Sequence, residues 1–556
     1  MDNRRRLFLA CCLALIANAM WFAVSVDILG DFVRHFRFTR EQVGQAVSWG
    51  GMVGVAAMFI IGGLLDFIGV GVALWLAVAA HLVGVTLVIF AQGFWSLAIA
   101  CTCLALATST VEAATNPFIA TVYPDRKTHM LNVFHAWWPG GIVIGGLLAW
   151  GFSAVLNATG ASQRLLDISW QIKMAFVYVP VIAYALLILG QKFPKTERVQ
   201  AGVPTSVMFK EALRPMFLIL VFCMLLTASI ELGPNRWLGM FIEDLMGIRG
   251  VLVLIYLSWL MFVLRFFAGP VARVLTPTGI MAISSVVAGV GLLLLSGVRG
   301  WGSLLVASTV FGLGCTYMWP TMLGIVSERF PKGGTLLLAI LGGAAGLFLS
   351  LVTGPKMGAI HDHYAEAAVR EALAPAVQAE VLERYAVVET VREEIGPTLE
   401  GTIAGLAASL DAARRPEPAP APPPTDAATR EQPLPKSLLT RIDEVKAQLS
   451  EADRRAVEAA LTKAADPAKR KAIEPPRLTK AIPEAVDRLG TPHQRQTVAG
   501  ALKEANRRAA SITFRYVAAL SVVIFLVFAG MFLYDRARGG YKQEFLDTRG
   551  AGGTPA

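Results

Sequence analysis

Charge is what this sequence has least of. Asp, Glu, Lys and Arg make up 16% of its 556 residues, against roughly 25% in soluble globular domains. A soluble enzyme of this composition would lack the polar surface it needs. Cysteine is also scarce, with six in the whole chain. Cys11, Cys12, Cys101, Cys103, Cys223 and Cys315 all fall in apolar runs, so no disulfide framework follows. Cys101 and Cys103 have no His or further Cys beside them, so they do not make a metal site. The chain has no G-x-x-x-x-G-K-S/T loop, which removes support for ATP-driven work. It also has no Ser/His/Asp or Cys/His spacing with a specific signature. No enzyme is expected, and no cofactor is implied.

Apolar length is abundant. Hydrophobic residues make up 55% of the chain. They gather into runs long enough to cross a hydrocarbon core about 30 Å thick as helices. Twelve such runs are expected, near 7–29, 45–66, 68–91, 95–120, 131–156, 173–190, 213–233, 250–268, 278–297, 301–326, 335–354 and 512–534. The first has an Arg4-Arg5-Arg6 start and an Ala17-Asn18-Ala19 site, as a signal peptide would. Its apolar run continues through Trp21, Phe22, Val24 and Val26, so a retained helix is expected.

The net charge of +10 belongs to the apolar part. Residues 361–511 carry 22 Lys and Arg against 23 Asp and Glu, whereas the other 405 residues carry 28 against 17. That pattern fits a membrane protein with cationic inner loops in a lipid bilayer, and not a nucleic-acid binder. With the N-terminus inside, 18 Lys and Arg fall on the cytoplasmic side and 10 on the outer side. Both termini are therefore expected in the cytoplasm, at the cell (inner) membrane.

The expected fold is all-α: twelve transmembrane helices in two six-helix halves, with a soluble helical insert. The first half is 1–190. A basic inner loop, 191–214, joins it to a second half made of 215–354 and 512–535. A tail, 536–556, follows on the inside. The insert, 355–511, would lie outside, with helical stretches near 363–395, 437–465 and 496–510. A Pro-rich linker at 416–424 separates them. The insert is the expected docking place for a protein partner. His361-Asp362-His363 lies at its start, but His at i and i+2 do not share a helix face.

Ionisable groups inside spanning helices are costly and so mark function. Glu112 is the sharpest, in the fourth run. A carboxylate is expensive to keep charged there, so this group can load and release a proton. Asn116 lies one turn on, on the same face, and Pro117 loosens the helix. Asp27 sits near the outer end of the first run. Glu231 lies near the outer end of the seventh, where Gly233-Pro234 would break the helix beside Asn235. His135 and Trp138 open the fifth run, and Tyr317 and Trp319 lie in the tenth. Trp faces stack on sugar C–H faces and on cations. His81 is read as a packing residue. Arg265 and Arg273 are read as snorkelling to the inner interface. Gly140-Gly141, Gly145-Gly146 and Gly342-Gly343 allow close helix approach.

These residues also carry a resemblance. Val111-Glu112-Ala113-Ala114-Thr115-Asn116-Pro117-Phe118, followed by Leu131-Asn132, is similar to a segment of the fucose:proton symporter branch of the major facilitator superfamily. So are Val26-Asp27-Ile28-Leu29, Trp319-Pro320-Thr321 and Gly342-Gly343-Ala344. The likeness covers roughly 7–360 and 512–540. It implies proton coupling at Glu112 and Asp27. It also implies a sugar-like small-molecule substrate, to which Asn116, His135, Trp138, Glu231, Asn235, Tyr317 and Trp319 are the candidate ligands. Two departures stand out. Gly62-x-x-x-Asp66-Phe67-x-Gly69 lacks the arginine of the superfamily's inner-loop pattern, so the usual ionic latch is expected to be weak. His135 and Trp138 stand where the branch has Gln and Asn.

The leading expectation is proton-coupled symport of a sugar or similar small polar solute by alternating access. One alternative is a uniporter or exchanger of a nucleoside, organic anion or peptide fragment, with Arg34, Arg37 and Arg236 attracting anions. Another is a transporter-fold sensor or scaffold that uses the insert.

Overall fold

A computed structural model describes residues 3–28, 31–32, 36, 40–246, 251–413, 445–465, 478–485 and 492–546. Arg34, Arg37, Arg249, Arg549 and the linker at 416–424 lie outside them, as does the side chain of Arg236.

Among the described residues no strand occurs. In a hydrocarbon medium a helix satisfies its own backbone, which is why apolar runs of this length adopt it. The N-terminal helices are α1 (Asn3–Asp27), α2 (Arg40–Ile68), α3 (Val70–Ile89), α4 (Phe94–Val122), α5 (Lys127–His135), α6 (Trp137–Ala158), α7 (Ser169–Ala175) and α8 (Tyr178–Ile188). The C-terminal helices begin with α9 (Pro215–Met246), α10 (Val251–Arg265), α11 (Ala268–Ser296), α12 (Trp301–Cys315), α13 (Met318–Arg329) and α14 (Gly334–Phe348). Then come α15 (Gly354–Ala372), α16 (Pro375–Ala413), α17 (Glu451–Ala465), α18 (Leu478–Ala485) and α19 (Pro492–Ala537). Among the described residues, eleven helices, some formed by two consecutive pieces, are long and apolar enough to cross a membrane. Val253–Arg265 is a shorter apolar helix.

The polarity is inverted relative to a soluble protein. Ile60, Trp150, Val179 and Leu526 are exposed, while Asn18, His81, Asn116, His135, Glu231 and Arg265 are buried. Close helix contacts depend on glycine. A Cβ on Gly314 would lie 2.2 Å from the Ala288 backbone nitrogen, and one on Gly141 would lie 2.7 Å from the Ala19 Cβ. The N-terminal helices meet the C-terminal ones along α2–α14, α6–α10 and α5–α13. Both described chain ends reach the same face. Arg4 stacks 3.9 Å over the Tyr123 ring, and Gln543 donates to the Pro124 carbonyl beside it.

Residues 1–357 and 513–556 form one compact unit, and 358–512 form another. The second unit has two apolar clusters of its own. One joins Val388, Val391 and Ile395 to Val457 and Ala460. The other joins Val369, Val381 and Tyr385 to Leu478, Ile482 and Val498. The helix expected at 363–395 is divided. It stops at Ala372 and restarts at Pro375, where proline's missing N–H is tolerated in a first turn. Of the helix expected at 437–465, residues 437–444 lie outside the described residues, Lys446–Gln448 forms a 3-10 turn, and Glu451–Ala465 is helical. The stretch expected at 496–510 runs on into the last apolar helix as part of α19.

Candidate functional site

The site is built on three spans, of which one is broken. Pro117 lies inside α4 and Pro234 inside α9, and both helices continue through their proline. The break expected at Gly233-Pro234 is therefore corrected, because in a long buried helix the surrounding hydrogen bonds carry the ladder past the one that proline removes. The fifth span breaks at Ala136, between α5 and α6.

Glu112 and Asn116 share a face of α4 by their i, i+4 spacing. Asn116 Nδ2 donates to Glu112 Oε2 at 3.2 Å. Its Oδ1 then accepts from His135 Nε2 at 2.9 Å. Asn116 and His135 are 1% and 3% exposed, while Glu112 is half-buried. The chain Glu112–Asn116–His135 therefore runs from a partly accessible carboxyl into the protein. Among the described residues Glu112 has no cationic partner within ion-pair distance.

A second cluster faces the first from the C-terminal helices. Arg265 Nη2 donates to Glu231 Oε1 at 3.2 Å, and both side chains are buried. Arg265 Nε donates to the Thr316 carbonyl at 2.6 Å, and Nη1 donates to the His135 carbonyl at 2.7 Å. The sequence expectation that Arg265 snorkels to the interface is therefore corrected. It sits 2% exposed, because Glu231 on the adjacent span supplies the counter-charge that a buried guanidinium needs. An acid alone in one span and a base alone in the next was the signal that could have found it.

Some of the other candidates do not join either cluster. Asp27 is 2.6 Å from Lys173 in an ion pair and shares no hydrogen bond with Glu112. Trp138 packs on Phe22, with ring centroids 6.2 Å apart, beside Ala19, Ala23 and Ile142. Tyr317 Oη donates to the Leu264 carbonyl at 2.8 Å. Trp319 and Asn235 are half-buried, and the Asn235 Oδ1 atom is buried without a hydrogen bond among the described residues. His81 is held by Tyr184 at 3.0 Å and Asn18 at 2.9 Å, as a packing residue would be.

Hydrogen bonds cross between the two sets of helices on the face carrying the chain ends. Thr128 donates from its backbone N at 2.9 Å and from its hydroxyl at 2.7 Å to Glu328 Oε1. Lys127 Nζ reaches Glu197 Oε2 at 2.6 Å and the Ser327 carbonyl at 3.2 Å. Asn132 donates to Thr321 Oγ1 at 3.2 Å. The C-terminal tail crosses this seam. Tyr541 donates to Glu328 Oε2 at 2.7 Å, and Glu544 N donates to the Glu328 carbonyl at 2.8 Å.

The latch expected to be weak is also corrected. Asp66 Oδ2 accepts from Arg198 Nε at 2.8 Å and from Nη2 at 2.6 Å. The linker between the two sets of helices supplies the arginine that the inner-loop pattern lacks. Among the described residues, no group of three His, Cys, Asp or Glu side chains is placed to hold a metal ion.

The family model for the Major Facilitator Superfamily matches residues 7–354. No curated protein sequence matches. Among solved structures the chain is similar to FucP, the E. coli fucose:proton symporter, in the outward conformation, at 18% identity. That alignment covers 64% of this chain and 92% of FucP, with a TM-score of 0.50. It is also similar to the proton:xylose symporter XylE at 14% identity, over 64% of this chain and 89% of that one, with a TM-score of 0.54. A human organic anion transporter aligns at 11% identity, over 64% and 93%, with a TM-score of 0.49.

Proposed function

Because this chain belongs to the Major Facilitator Superfamily, we propose that it is a secondary active transporter that takes up a sugar or similar small polar solute together with protons. The observation that carries this reading is the state of its membrane carboxyls. Asp27, Asp66 and Glu231 each have a cationic partner, whereas Glu112 has Asn116 instead. A carboxyl without a counter-charge in a low-dielectric setting is the group whose charge a proton can most usefully cancel. Its partial exposure gives the proton a way in. Asn116, His135 and the flanking Trp138, Tyr317, Trp319, Glu231 and Asn235 offer the hydroxyl-matching and stacking groups that a sugar needs. Asp27 is assigned a coupling role through its exchangeable pair with Lys173.

In this reading twelve spans form two six-helix halves, with Val253–Arg265 as the short one. Meeting of both chain ends on one face supports an even number of crossings. The excess of Lys and Arg, which remains 17 against 10 once the buried Arg265 is left out, supports a cytoplasmic position for that face. The halves rock about the site, and the hydrogen-bonded seam at Glu328 is the inner gate, here closed. Glu112→Gln in proteoliposomes should abolish solute accumulation driven by a proton gradient while leaving solute exchange. Accumulation equal to the parent protein's would overturn the coupling role.

One observation favours a second reading, a sensor with a transporter fold. Residues 358–512 form a compact unit with their own apolar clusters, suited to docking a protein partner. Deletion of 365–508 with uptake intact and a cellular response lost would support it.

A further inference from the structure

Arg265 does more than neutralise Glu231. Its two other acceptors are carbonyls of a particular kind. In a helix the carbonyl of residue i accepts from the N–H of residue i+4. Four residues after His135 stands Pro139, and four after Thr316 stands Pro320. Proline has no N–H, so neither carbonyl has a helical donor. The ladder resumes one residue later in each span, with Gly140 N on Ala136 O and Thr321 N on Tyr317 O. The vacated carbonyls belong to different sets of helices, α5 and the α12–α13 break. Arg265 fills both, at 2.7 and 2.6 Å, from α10. A buried carbonyl without a donor is costly, and a planar guanidinium is the side chain that can reach two such carbonyls and a carboxylate together.

We propose that Arg265 is a positioning residue that joins the two proline-broken spans and through His135 sets the hydrogen bonding of the Glu112 chain. This rests on the reading of Glu112 as the proton site. The His135 carbonyl is held by Arg265 and the His135 ring holds Asn116, which in turn donates to Glu112. The titratable and charged groups along this route are His135, Arg265 and Glu231, with Cys315 and Tyr317 beside Arg265. His81 on α3 is engaged separately by Asn18 and Tyr184. An anionic solute is not the partner that this cluster favours, because Glu231 already occupies the cation. When the halves separate on this side, the bond to the His135 carbonyl is the one that must break. Arg265 therefore reports the arrangement of the C-terminal helices to Glu112.

The test needs no solute. The full-length protein in lipid nanodiscs is titrated with acid and base, and the protonated-carboxyl band lost in Glu112→Gln is followed by infrared difference spectroscopy. Arg265→Lys keeps the charge beside Glu231 but cannot donate to both carbonyls. The Glu231→Gln, Arg265→Gln double variant is neutral and guards against a folding defect. Both are expected to shift the midpoint of the Glu112 band. Adding Pro139→Ala to Arg265→Lys returns an N–H to the His135 carbonyl and should move the midpoint back. Unchanged midpoints in both variants would overturn the positioning role while leaving Glu112 as the proton site. Absence of a titrating Glu112 band in the parent protein would overturn the proton-site reading, and this inference with it.

Discussion

Removing Arg198 should cost the protein far more than losing a surface charge would. Asp66 and Arg198 have side chains only 2% and 4% exposed. Two guanidinium nitrogens converge on Asp66 Oδ2, at 2.8 and 2.6 Å, and Thr196 donates to the other oxygen at 2.5 Å. Arg198→Ala leaves that carboxylate buried with a single hydroxyl donor. Stranding one partner of a buried pair typically costs about 3–5 kcal/mol. Arg198→Lys keeps the charge but loses the two-pronged geometry, at about 1–2 kcal/mol. The double variant, Asp66→Asn with Arg198→Ala, removes the stranded charge and should recover most of the loss. What remains would reflect the Arg198 Nη1 bond to the Val203 carbonyl. The assay is denaturant unfolding of the purified protein in detergent, followed by helical circular dichroism. An Arg198→Ala protein within about 0.5 kcal/mol of the parent would refute the reasoning, because that is how an exposed pair behaves.

Other outcomes follow from the same geometry. His135→Ala removes one hydrogen bond to Asn116 and should lower proton-driven uptake about fivefold to tenfold, measured in proteoliposomes against solute exchange as control. Deleting 538–556 removes the tail bonds to Glu328 and Pro124. A cysteine placed at Thr128 should then react faster with a membrane-impermeant maleimide applied from the face carrying the chain ends. Gly314→Val drives a side chain into the Ala288 backbone and should destabilise by about 1–3 kcal/mol, read as lost thermal stability in detergent.

Much of the fold was legible because the bilayer imposes a simple rule on length and apolarity. The apolar runs, the insert and its position before the last span all follow from that rule. The Glu112–Asn116 contact was legible too, since i, i+4 residues on one helix meet whatever surrounds them. Arg265 was not. It stands at the end of an apolar run, where cations usually reach water, and only its distance from Glu231 in space shows otherwise. The Asp27–Lys173 pair links residues 146 apart in the chain, a separation across which local pattern says nothing. The Asp66 latch misled for the opposite reason. A local motif lacked its arginine, and the cation came instead from Arg198, 132 residues away.

Proton symport in this protein requires that Glu112 carry the proton with the solute. The direct measurement is external pH in lightly buffered, energy-depleted cells expressing the protein, during addition of L-fucose, D-xylose and other sugars in turn. The medium should become alkaline with at least one sugar, and this response should vanish in Glu112→Gln at equal surface expression. Sugar uptake that leaves external pH unchanged, or an alkaline response that persists in Glu112→Gln, would contradict it.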